Sequence, residues 1–80
     1  MPTVHIQYFA ALREARGQSH EVVETGQRTI QALYNELRER HQFPLKNSQV
    51  KAALNGSYTS MQTELSDGDN LVFIPPVAGG

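Results

Sequence analysis

Only one stretch of this 80-residue chain carries a long helical stripe, and short strand-like runs lie on both sides of it. Ile30, Leu33, Tyr34 and Leu37 recur at i, i+3, i+4 and i+7, which puts them on one face of a helix. Thr29 precedes them as an N-cap, its hydroxyl able to accept from a first-turn amide. Ala32 stands where a capping box would place Glu or Gln, so this cap is one-sided. Glu36 and Arg40 form an i,i+4 pair on the outer side, worth about 0.3 kcal/mol. Pro44 requires the helix to end by about His41 to Phe43.

On the N-terminal side, Val4 to Phe9 alternates at period two, with Val4, Ile6 and Tyr8 on one face and His5, Gln7 and Phe9 on the other. Ala10 to Arg16 is rich in helix formers and is followed by Gly17, a natural C-cap. His20 to Glu24 reads as a short strand that Thr25-Gly26 breaks. On the C-terminal side, Val50 to Leu54 is a strand and Asn55-Gly56 a tight turn, with Ser57 to Thr59 returning. Asp67-Gly68-Asp69 marks another turn before the clearest late strand, Asn70 to Ile74. Leu71 and Phe73 share one face of that strand, Val72 and Ile74 the other. This order predicts one α+β domain, a mixed sheet packed on one main helix. It fits a ubiquitin-like β-grasp, in which the first and last strands are central neighbours. A ferredoxin-like fold would need a second full helix. Residues 1–74 form the globular body and residues 75–80 an extended, flexible C-terminal Gly-Gly tail.

Charge and composition narrow the function. Seven Lys and Arg against eight Asp and Glu give a net charge of −1, and neither half of the chain has a basic excess. That argues against a nucleic-acid or anionic-membrane surface. With no Cys, disulfides, thiolate metal sites and a cysteine nucleophile are excluded. No apolar run approaches the roughly 18 residues of a membrane span, and Met1-Pro2-Thr3-Val4 does not open a signal peptide. A soluble, cytoplasmic domain is expected. His5, His20 and His41 lack metal-ligand spacing. Asp67-Gly68-Asp69 resembles the start of a calcium loop, but no Glu follows at the twelfth position, so it reads as a turn. Phosphate-loop, dinucleotide and nucleophile-elbow motifs are absent. Glu14 and Glu36 read as solvated helix surface.

The end of the sequence is different. Leu71 to Gly80 holds no charged side chain. Pro75 and Pro76 cannot donate ladder hydrogen bonds, so the sheet should stop near Ile74 and continue as a stiff, extended shaft. Val77 and Ala78 follow, then Gly79 and Gly80. Six residues from Pro75 onward reach about 20 Å when extended. A tip without side chains can enter a channel in which any Cβ would clash. Its carboxylate is a poor electrophile that a partner using ATP can convert to an acyl-adenylate. A sulfur nucleophile attacking there would leave a thiocarboxylate.

The tail Phe73-Ile74-Pro75-Pro76-Val77-Ala78-Gly79-Gly80 resembles the Phe-Pro-Pro-Val-x-Gly-Gly ending of the molybdopterin synthase small-subunit family, the ubiquitin-like sulfur carriers. Tyr8-Phe9-Ala10 with Leu12-Arg13-Glu14, the Asn55-Gly56 turn and Leu65-Ser66-Asp67-Gly68-Asp69 extend the resemblance over essentially the whole chain. It implies that Gly80 is adenylated by a ubiquitin-E1-like enzyme and then thiocarboxylated with sulfur from a donor protein. It further implies that Pro75 to Gly80 enter the large synthase subunit and deliver sulfur to cyclic pyranopterin monophosphate. The resemblance also implies that no cofactor is bound stably, that ATP belongs to the activating partner, and that the catalytic acid–base groups belong to the large subunit of a heterotetramer. The face assignments place Phe9 and Ile74 on one exposed patch with Tyr58 as a third member, which the resemblance implies is the partner-docking surface. Arg13 is a candidate charged contact at its rim. Three alternatives stay open: a sulfur carrier of another pathway such as thiamine thiazole synthesis, a ubiquitin-like modifier joined through Gly80, or a docking domain without covalent chemistry.

Overall fold

The computed structural model describes residues 1–76. Their element order is β1 (Thr3–Tyr8), α1 (Ala10–Arg16), β2 (His20–Glu24), α2 (Ile30–His41), β3 (Lys51–Leu54), β4 (Ser57–Thr59) and β5 (Asn70–Ile74). The five strands form one mixed sheet in the order β2-β1-β5-β3-β4. β1 and β5 are its parallel central pair, and the other pairings are antiparallel. The expected β-grasp is therefore present, with α2 across one face of the sheet.

Alternation decides which face α2 covers. Val4, Ile6 and Tyr8 from β1, Leu71 and Phe73 from β5, and Ala52 from β3 are buried with Ile30, Leu33, Tyr34 and Leu37 of α2. Each fully buried large apolar side chain contributes roughly 1.5–3 kcal/mol. Tyr8, Tyr34, Phe43 and Phe73 pack ring against ring, with centroids 5.1 to 6.2 Å apart.

The capping chemistry follows the sequence at both ends of α2. Thr29 Oγ1 accepts from Ala32 N at 3.1 Å. The remaining early amides are satisfied from outside the helix: Ile30 N donates to Thr63 O at 3.1 Å and Gln31 N to Met61 O at 2.8 Å. The segment from Met61 to Leu65 thus lies along the helix start, tied further by Leu65 N to Arg28 O at 2.8 Å. At the other end Gln42 adopts a left-handed φ of 59°, and Phe43 N reaches back to Arg38 O at 3.1 Å. Asn55 and Gly56 both have positive φ, 51° and 90°, as the tightest β-hairpin turn requires.

Three strand boundaries differ from the sequence reading, and the first is the start of β1, at Thr3 rather than Val4. β1 ends at Tyr8 and Phe9 becomes the N-cap residue of α1. β3 starts at Lys51, because Val50 closes a single 3₁₀ turn over Asn47–Gln49 that periodicity did not reveal. Asp67-Gly68-Asp69 is the expected turn. Asp69 is buried there, its carboxylate accepting from Ser66 N at 2.7 Å and Asn55 Nδ2 at 3.0 Å. Asp67 Oδ1 accepts from Thr3 N at 2.8 Å. The two carboxylates thus tie the turn to β1 and to Asn55, and no group of three ligating side chains occurs among the described residues.

Candidate functional site

The face of the sheet opposite α2 is left uncovered by the described residues. Strand register lines up its side chains in rows. His20 pairs with Gln7, Gln7 with Val72, Val72 with Ala53, and Ala53 with Tyr58. One row therefore crosses all five strands and turns apolar from Val72 onward. Neighbouring strands lie about 4.8 Å apart, so Val72 and Tyr58 are separated by about 10 Å with Ala53 between them. The small Ala53 leaves the Tyr58 ring standing free, 77 % exposed.

The next row contains Ile74, paired with Lys51. Tyr8 pairs with Phe73, so the register carried one step further sets Phe9 opposite Ile74. Phe9 keeps an extended backbone, φ −129° and ψ 154°, and its ring is 41 % exposed. Phe9, Ile74 and Tyr58 thus share one face, the arrangement that alternation predicts, and Val72 and Ala53 join them. A shallow groove of about 650 Å³ opens at this end of the sheet, lined by Lys51, Ala52, Tyr58, Thr59 and Ser60. Arg13 lies exposed on α1, and its side chain makes no ion pair among the described residues.

The tail leaves from the same corner. β5 ends at Ile74, and Pro75 and Pro76 follow outside any strand, Pro75 half-buried and Pro76 exposed. The candidate residues Val77, Ala78, Gly79 and Gly80 lie outside the described residues. The central strand therefore delivers the shaft next to the uncovered apolar face.

One polar cluster escaped the sequence reading. Glu21 pairs with Ile6 and so faces the core side of β2, an edge strand. There Tyr8 Oη donates to Glu21 Oε2 at 2.6 Å. Arg16 closes a two-pronged contact on the same carboxylate, Nε to Oε2 at 2.9 Å and Nη2 to Oε1 at 3.0 Å. Burial, the Glu21 hydrogen bond and that carboxylate's charge together push the Tyr8 hydroxyl far above the ordinary phenol range. Burial alone would raise Glu21. The hydrogen bonds from Arg16 and Tyr8 and the guanidinium charge outweigh it and hold the carboxyl below its ordinary range. The signal was available in β2: if Val23 faces inward, Glu21 two residues earlier must do so too, and a buried carboxylate demands donors.

A β-grasp with a Pro-Pro shaft leaving its central strand beside an exposed apolar face places the chain among ubiquitin-like β-grasp domains. Within that class, the chain belongs to the ThiS family, which matches residues 6–80. A Mycobacterium tuberculosis protein named molybdopterin synthase sulfur carrier subunit is 36% identical over 83 residues, each chain being covered in full. The Escherichia coli protein of the same name is 31% identical over 80 residues, covering 96% of this chain and 99% of its own. A solved structure from Pyrococcus furiosus, described as subunit 1 of a molybdopterin converting factor, superimposes with a TM-score of 0.79 at 30% identity, covering 96% of this chain and all of its own.

Proposed function

We propose that this chain is a sulfur carrier of molybdopterin synthesis, the small subunit of a synthase whose large subunit docks on the Phe9, Tyr58 and Ile74 face. The observation that carries the reading is the exit of the Pro75-Pro76 shaft from central strand β5 beside that uncovered apolar face. Relatives spanning the whole chain and named as sulfur carrier subunits of molybdopterin synthase support it.

In this reading an E1-like adenylyltransferase holds the body by the exposed face while the tail enters its ATP site. A carboxylate oxygen of Gly80 attacks the α-phosphorus of ATP and pyrophosphate leaves. Hydrosulfide supplied by a donor protein then attacks the acyl carbon and AMP leaves, giving the thiocarboxylate. The tail next enters the large subunit, where the thiocarboxylate sulfur bonds to a carbon of cyclic pyranopterin monophosphate and water cleaves the resulting thioester, returning Gly80 as a carboxylate. Two donations build one dithiolene. Val77 and Ala78 line the channel with little bulk, Gly79 and Gly80 with none. In this reading the acid–base groups are the large subunit's. Arg13 contacts the partner at the rim, and the working assembly is a cytoplasmic heterotetramer.

Deleting Gly79 and Gly80 tests this reading. The truncated chain should fold and still bind the large subunit while supporting no molybdopterin formation. Molybdopterin formation by the truncated chain would contradict the carrier role.

A further inference from the structure

We propose that Tyr8, Glu21 and Arg16 are positioning residues, a clamp that fixes Phe9 at the start of α1 in the geometry a partner docks against. The inference rests on the reading that Phe9 belongs to the partner-facing surface. One carboxylate, Glu21, joins the residue immediately before Phe9 to Arg16, the last residue of α1, and anchors both to β2. Tyr8 N also donates to Ser19 O at 2.7 Å, stitching the loop after α1 onto β1.

Between these anchors the backbone turns sharply. Phe9 is extended, and Ala10 has a φ of 49°. An L-residue in the left-handed region costs about 1–2 kcal/mol, so the surroundings must hold it there. Local capping does little of this, because Phe9 offers no side-chain cap to α1. Its carbonyl accepts from Leu12 N at 3.1 Å and Arg13 N at 3.4 Å. Seven residues are too few for a helix to persist alone. Leu12 is the one fully buried residue of α1, so core packing holds the helix mainly at a single point. The Arg16–Glu21 fork holds the far end and Tyr8 holds the near end. Phe9 sits between the two fixed points. The Arg16–Glu21 pair is only partly buried, so its contribution to stability is modest. Its geometric specificity is what Phe9 requires.

The test compares two conservative removals of a buried hydroxyl. Tyr8→Phe keeps the ring packing but drops the bond to Glu21. Tyr34→Phe drops the 2.7 Å bond to Leu45 O on the far side of the core. Hydrogen exchange is measured at the Leu12 and Arg13 amides, and affinity is measured for the large subunit of a molybdopterin synthase. The clamp predicts that the two variants lose thermal stability to a similar extent. Tyr8→Phe alone should speed exchange at Leu12 and Arg13 at least tenfold and weaken partner binding about tenfold. Arg16→Lys, which keeps the charge but loses the fork, should fall between Tyr8→Phe and the unsubstituted chain. Unchanged exchange in Tyr8→Phe, or equal loss of affinity in Tyr8→Phe and Tyr34→Phe, would overturn the clamp. Faster exchange in Tyr8→Phe with no binding even by the unsubstituted chain would support the clamp's hold on α1 and overturn the partner reading instead.

Discussion

The two faces of the sheet are written by the same alternating strands yet serve opposite ends. On the inner face Tyr8 and Phe73 lie in register and are sealed under α2. On the outer face Val72 and Tyr58 flank Ala53, the continued register sets Phe9 opposite Ile74, and no helix of the described residues lies above them. Inner residues hold the fold together. Outer residues such as Phe9 and Tyr58 leave apolar surface in water. Pro75, half-buried, and Pro76, exposed, follow β5 outside any strand.

Substitutions on the two sides should separate cleanly. The largest effect belongs to the tail: Gly79→Val or Gly80→Val should abolish sulfur transfer in a reconstituted assay while leaving the melting temperature unchanged. Persisting turnover would remove the narrow-channel argument. Phe73→Ala comes next and breaks the inner face. It should cost about 3–5 kcal/mol in denaturant unfolding, enough to consume much of the stability of so small a domain. Phe9→Asp is its outer counterpart. Calorimetry with the large subunit should show a loss of about 2 kcal/mol or more of binding, against less than about 1 kcal/mol of folding stability. If Phe9→Asp unfolds the chain instead, the faces are reversed.

A milder effect is expected from pH. Burial, helped by the Arg16 charge, holds the His41 imidazole below its ordinary 6.5. A depressed folded value means stability that is present above 6.5 and lost as pH falls through that window. Glu21, held below its ordinary 4.5, adds a second loss beneath that value. In alkali the signs reverse. Burial pushes Tyr34 up from 10.0 to about 12, so its stabilisation is complete below pH 10 and lost as pH rises through 12. Melting temperature should therefore be flat from about pH 7 to 10 and fall on both sides, and His41→Asn should erase the first acid step. The smallest effect is reserved for Glu36→Ala. Its exposed 3.3 Å pair with Arg40 should matter by no more than about 0.5 kcal/mol.

Much of this comparison was legible in the sequence because alternation carries it. The period-two pattern of Val4 to Tyr8 and of Leu71 to Ile74 assigns both faces, and the stripe Ile30, Leu33, Tyr34, Leu37 assigns the cover. Phe9 could be given its outward direction but not its place as a helix cap, because an Ala at positive φ leaves no sequence mark. The stretch from Met61 to Leu65 was silent for a related reason: it joins α2 through backbone carbonyls, which every residue possesses. The Tyr8–Glu21–Arg16 cluster depends on three segments meeting in space. Only the inward parity of Glu21 hints at it. For the tail, composition said more than pattern did, since two prolines and two glycines define stiffness and bulk without any long-range contact.

The most direct measurement is intact mass spectrometry of the chain after incubation with ATP, an E1-like adenylyltransferase and a sulfide source. The account predicts a mass gain matching replacement of one oxygen by sulfur, mapped by fragmentation to Gly80. An unchanged mass with demonstrably active enzyme and an intact C-terminus would contradict it and leave the tail as a docking peptide.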